Sequence, residues 1–94
     1  MVDFGAKWCT PCREIKPILD EMSKEFCHDV EFFTIDIDDE EIGDICTEYN
    51  VRAVPTFIFF NNGNKVHRML GGSESDLRHF IEKNIPSKTA QAIY

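Results

Sequence analysis

Val2-Asp3-Phe4-Gly5-Ala6-Lys7-Trp8-Cys9-Thr10-Pro11-Cys12 decides how the rest of this 94-residue chain is read. Val2-Asp3-Phe4 is a short apolar stub of the buried-strand kind. After Cys12, Ile15, Ile18, Leu19, Met22 and Phe26 recur at three- and four-residue spacing, the pattern of an amphipathic helix. Pro11 suits the first helical position, where an N–H would have no partner to lose. Thr10 is then the expected N-cap, and Pro17, inside the helix, is expected to kink it.

Two cysteines at positions i and i+3 of a helix start have unequal chemistry. The first thiol lies beyond the helix end, near unpaired N–H groups and the positive end of the dipole, which favours its thiolate. The second lies one turn in, within reach of a mixed disulfide on the first. Cys9 is therefore read as the nucleophile and Cys12 as the resolving thiol. Pro11 between them removes a donor from the loop and stiffens it.

Further along, Val30 to Ile37 reads as a strand, and Ile42, Ile45, Cys46 and Tyr49 as a second, shorter helix. Thr56-Phe57-Ile58-Phe59-Phe60 is a continuous apolar run, a strand covered on both faces. Asn61-Asn62-Gly63-Asn64 turns it into a hairpin with Lys65–Leu70. Gly71-Gly72 end that strand. Ser73 or Ser75 caps a last helix with Leu77, Phe80, Ile81 and Ile85 on one face. A crossover followed by a hairpin predicts an α/β fold, a four-stranded mixed sheet flanked by helices. One domain over residues 1–86 and a tail at 87–94 are expected.

With 43% hydrophobic residues and eight Phe, the chain can fill a core without disulfide staples. A formal charge of −7 argues against nucleic acid as a partner. No apolar run reaches the roughly 18 residues of a membrane span. Met1-Val2-Asp3 does not open a secretory signal, so a reducing, cytoplasmic setting is expected, in which a CxxC is catalytic or metal-binding. A zinc site needs two more ligands. Cys27, His28 and Cys46 are the candidates, and none forms a second knuckle, so no metal is expected. The acidic stretch Asp36, Asp38, Asp39, Glu40, Glu41 fails as a calcium loop. Counted from Asp36, Glu41 stands where Gly is required and Thr47 where a bidentate Glu belongs. These carboxylates are read as serving the next helix N-terminus. His28, His67, His79 and Arg68 are read as solvent-facing, and Cys27 and Cys46 as passive, with Cys46 on an apolar face.

Taken together, the Val2–Cys12 segment resembles the thioredoxin active-site segment, and Val51-Arg52-Ala53-Val54-Pro55-Thr56-Phe57 resembles that family's cis-proline segment. Asn62-Gly63 and Gly71 fall where the family has its hairpin and its substrate-groove glycine. A CxxC beside a βαβ pattern is also a thioredoxin-like cue in its own right. The resemblance implies that Pro55 follows a cis bond and lies against Cys9, with the Val54 backbone pairing to an extended substrate. It implies that Trp8 flanks the thiols, with Thr10, Pro11 and Gly71 completing the substrate face. Asp3 is implied to be a buried carboxylate near Cys12, its pKa raised by desolvation, helping to deprotonate that thiol.

The implied activity is reduction of protein disulfides, with a thioredoxin reductase resetting the dithiol and no bound cofactor. The alternative from another class is a non-catalytic thioredoxin-like binding module or scaffold subunit; the intact CxxC and Pro55 argue against it. An isomerase reading is disfavoured by Pro11, rather than His, beside Cys12. Family members usually carry a strand and a helix before the segment that begins here at Val2, so the resemblance implies an N-terminally shortened fold. In it, strand 30–37 is an unprotected edge, and a homodimer through Phe32 and Phe33 is expected.

Overall fold

The computed structural model describes residues 1–61 and 63–85; the expected 87–94 tail lies outside them. The elements are β1 (Val2–Gly5), α1 (Thr10–Glu25), β2 (Phe33–Asp36), a 3-10 turn (Glu40–Ile42), α2 (Gly43–Glu48), β3 (Thr56–Asn61), β4 (Asn64–Leu70) and α3 (Glu74–Lys83). The sheet order is β2-β1-β3-β4. β1 and β2 pair in parallel, Val2 opposite Phe33 through Gly5 opposite Asp36. β3 is antiparallel to β1, with Phe4 opposite Thr56. It is also antiparallel to β4, with Thr56 opposite Leu70.

Strand alternation sorts side chains to two faces. Phe57 and Phe59 join Ile15, Leu19, Met22 and Phe26 of the α1 segment and Leu77, Phe80, Ile81 and Ile85 of the α3 segment in one buried cluster. Phe4 and Ile58 face the other way, onto Cys46 with Ile45, Tyr49 and Phe60 around them. Each fully buried side chain of this size contributes about 1.5–3 kcal/mol. β3 is buried through Phe59, as its unbroken apolar run implied.

Three expectations are corrected. The N-cap of α1 is Cys9, not Thr10, because the Cys9 sulfur accepts the Cys12 N–H at 3.2 Å. The strand expected over 30–37 forms only at Phe33–Asp36, since the ladder with β1 begins at Val2 opposite Phe33. Phe32 turns inward against the α1/α3 core, which leaves Phe33, 57% exposed, as the edge aromatic. Arg68 is half-buried instead of solvent-facing, and its Nη2 donates to the Asn50 carbonyl at 3.3 Å beyond the end of α2.

α3 starts with a reciprocal cap: the Ser73 hydroxyl accepts the Asp76 N–H, and the Asp76 carboxylate accepts the Ser73 N–H. Gly71 and Gly72 make the bend before it at φ 61° and 110°, where a side chain would be strained. Ser73→Ala is expected to destabilise the fold by about 1 kcal/mol, read as a lower urea midpoint at unchanged slope.

Candidate active site

Gly5, Asp36, Thr56 and Leu70 mark one end of the sheet, since the register places Gly5 opposite Asp36 and Thr56 opposite both Phe4 and Leu70. The carboxyl ends of parallel strands open there, the usual place for a site in an α/β sheet. β1 leads through Ala6, Lys7 and Trp8 into Cys9, and the Cys9 N–H is fixed to the Ala6 carbonyl at 3.2 Å. Cys9 and Cys12 form a disulfide with Cα atoms 5.3 Å apart. Cys9 is 4% exposed, while Cys12 is partly exposed. Thr10 and Pro11, on the first turn, face solvent.

Pro55 is buried and follows a cis bond from Val54, as the resemblance implied. Its carbonyl accepts the Gly71 N–H at 2.9 Å, and the Thr56 hydroxyl donates to the Ala53 carbonyl at 2.6 Å. The Val54-Pro55 pair and Gly71, distant in sequence, are therefore held together at the sheet end toward which β1 carries Cys9.

Asp3 is 8% exposed, and its Oδ1 has no hydrogen-bond partner. Burial pushes its pKa up to about 6. A Cβ at Gly5 would lie 3.4 Å from the Cys12 Sγ and 4.0 Å from the Asp3 Oδ1. The carboxyl and the second thiol thus border the same small space, as expected. Cys46 is buried, and burial also raises its thiol pKa; Cys27 is exposed, and both are free.

The sequence reading missed Asp38. Trp8, 63% exposed, donates its indole N–H to the Asp38 Oδ2 at 2.7 Å, and Asp38 is itself anchored by its N–H to the Asp36 Oδ1 at 2.9 Å. The acidic stretch thus divides its work. Asp39 accepts the Glu41 N–H at 3.0 Å and opens the 3-10 turn, as expected, while Asp38 holds the indole. Only the β1–β2 register, which sets Asp36 beside Gly5, would have disclosed this. The chain has one Trp, so its fluorescence reports this contact alone. Asp38→Ala is expected to increase iodide quenching and lower the anisotropy of Trp8, with a stability change of about 1 kcal/mol or less.

A cysteine pair closed as a disulfide across the first turn of a helix, beside a buried carboxyl and a cis-proline loop, defines a thiol–disulfide oxidoreductase. The family model for thioredoxin matches residues 1–83. An H-type thioredoxin of Fagopyrum esculentum is 41% identical over 86 residues, which is 92% of this chain and 72% of that protein. The structure of Fasciola hepatica thioredoxin superposes with a TM-score of 0.80 at 41% identity, over 87% of this chain and 76% of that one. The structure of the Nicotiana alata thioredoxin NaTrxh gives a TM-score of 0.81 at 38% identity, over 89% and 70%. The chain belongs to the thioredoxin family, and its activity is the reduction of protein disulfides through a CxxC pair. Among the described residues no helix is long and apolar enough to cross a membrane.

Proposed function

We propose that Cys9 is the attacking thiolate and Cys12 the resolving thiol. The observation that carries this reading is the capping contact: the Cys9 sulfur occupies the N-cap of α1 and accepts a backbone N–H, a bond that strengthens when the sulfur is charged. The Cys9 thiolate attacks a substrate disulfide and a mixed disulfide forms. Asp3 takes the Cys12 proton, and Cys12 then displaces the reduced substrate, leaving Cys9–Cys12 oxidised. The unpartnered Asp3 Oδ1 beside the Cys12 sulfur supports that role. Trp8, Thr10 and Pro11, with the Val54, Pro55 and Gly71 loops, form the face for an extended substrate segment. The exposure of Trp8, Thr10 and Pro11 supports it.

A thioredoxin reductase is the partner that restores the dithiol. The cytoplasm is the compartment we assign, because Cys27 is an exposed, unpaired thiol and suits a reducing environment. Residues 1–86 act as one unit, which the closing of the core by Ile85 supports. A homodimer through the β2 edge is supported by exposed Phe33 on an edge strand that has a sheet neighbour on one side only among the described residues; a monomer mass by light scattering at high micromolar concentration would remove it.

Catalysed insulin-disulfide reduction with dithiothreitol tests the functional reading. The native chain and a Cys27→Ser/Cys46→Ser variant are expected to turn over at equal rates. No turnover from folded, reduced protein would favour the binding-module alternative.

A further inference from the structure

The loop from Asn50 to Pro55 carries the Val54 backbone and the cis bond to Pro55, yet it belongs to no helix or strand. Its shape is therefore set by what fastens it. At its start Asn50 turns at φ 56°, and the Val51 N–H closes the end of α2 on the Cys46 carbonyl at 2.8 Å. At its end the Pro55 carbonyl accepts the Gly71 N–H at 2.9 Å, just past β4. Between these points Arg52 and Ala53 are exposed and Val54 is half-buried.

Arg68 fastens the start of the loop to the same strand. It stands on β4 opposite Ile58, and its Nη2 donates to the Asn50 carbonyl at 3.3 Å. Its Nε is buried with no hydrogen-bond partner, and Arg68 forms no ion pair among the described residues. A buried donor left unpaired works against stability. Stability is thus a poor reason for half-burying a guanidinium here, and the contact with Asn50 is a better one.

We infer that Arg68 is a positioning residue for the protein substrate. With Gly71 at one end and Arg68 at the other, β4 holds both ends of the loop and keeps the Val54 backbone ordered before a substrate arrives. A loop already ordered loses less freedom on binding, so the gain falls on affinity for an extended segment. Sulfur exchange is untouched, because Arg68 contacts the loop and not the cysteine pair. The inference deepens the reading in which the Val54 backbone pairs with substrate, and it rests on that reading.

Amide hydrogen exchange and single turnovers of the reduced full chain test it together. Arg68→Met keeps an apolar stem and removes every donor. Arg68→Gln keeps an amide near the place of Nε but falls short of Nη2. In both variants exchange of the Val51 amide is expected to rise about tenfold, while β1 and β3 keep native protection. The half-saturating insulin concentration should rise about fivefold at an unchanged limiting rate, in low and high salt alike. Hydroxyethyl disulfide, neutral and without a peptide backbone to pair, should be reduced at the native rate. Arg68→Lys retains a charged donor on a slightly shorter stem and is expected to recover about half of each loss. A merely structural role would instead loosen β3 as well and would not be rescued by lysine. Native exchange at Val51 in both variants would overturn the clamp and leave the redox reading standing. Faster exchange with native insulin saturation would overturn the positioning role. An insulin effect that vanishes in high salt would make Arg68 a charge contact for substrate and overturn it too. Failure of the native chain to reduce either disulfide would overturn the redox reading and this inference with it.

Discussion

Cys9→Ser is expected to bring insulin reduction down to the rate of dithiothreitol alone while the protein stays folded. The loss is chemical because serine cannot form or exchange a disulfide. The fold survives because Cys9 is the N-cap of α1, and serine is among the best N-caps available. Its hydroxyl can accept the same Cys12 N–H that the sulfur now accepts. The assay is run under reducing conditions, so the variant does not suffer from a lost cross-link. Far-UV circular dichroism and a urea midpoint close to that of the reduced native chain should accompany the loss.

Asp3→Asn is expected to stabilise the protein above pH 7 and to slow resolution of the mixed disulfide. The Asp3 carboxyl is held at about 6 against an ordinary 3.8 because burial penalises its charge. The folded protein therefore binds the proton more tightly than the unfolded chain does. The stabilisation linked to that proton is complete below pH 3.8 and is lost as pH rises through about 6. Above that, the buried carboxylate costs the fold about 3 kcal/mol. Asparagine carries no charge at any pH, so the variant recovers that cost at pH 8, less about 1 kcal/mol or more for burying its own amide. Its advantage should fade on acidification to pH 4, as followed by urea unfolding across that range. The same substitution removes the group that takes the Cys12 proton, and the single-turnover rate of resolution is expected to fall about 10²-fold, the lower range for a lost general base.

Much of this architecture was legible because local signals agreed. The apolar spacing after Cys12, the unbroken run Thr56–Phe60 and the Ser73 cap each point to the element they form. The exceptions share a cause, in that tertiary pairing decided them. Val30 and Phe32 have strand-forming character, yet the ladder starts at Phe33, so Phe32 packs on the core. Arg68 looks like an exposed hairpin residue, but it lies opposite Ile58 and so shares the α2 face, where the Asn50 carbonyl receives it. A hydroxyl such as that of Thr10 usually serves as a cap; the backbone instead places the thiol of Cys9 in that position.

The candidate site divides in the same way. Cys9 and Cys12 are readable from spacing alone, because chemistry and helix geometry coincide there. Asp3 is buried on the α1 side because β1 alternates and Phe4 takes the opposite face. The Trp8–Asp38 bond and the opening beside Gly5 depend on which strand lies next to β1 and on where α1 crosses it. Nothing within either segment specifies that.

The central claim is that the sulfur capping α1 is the one that attacks. Its most direct test is to incubate reduced Cys12→Ser with insulin, quench with acid and locate the mixed disulfide by peptide mapping. The account predicts a stable adduct on Cys9, because the resolving thiol is gone. An adduct on Cys27 or Cys46, or a folded variant that forms no adduct, would contradict it.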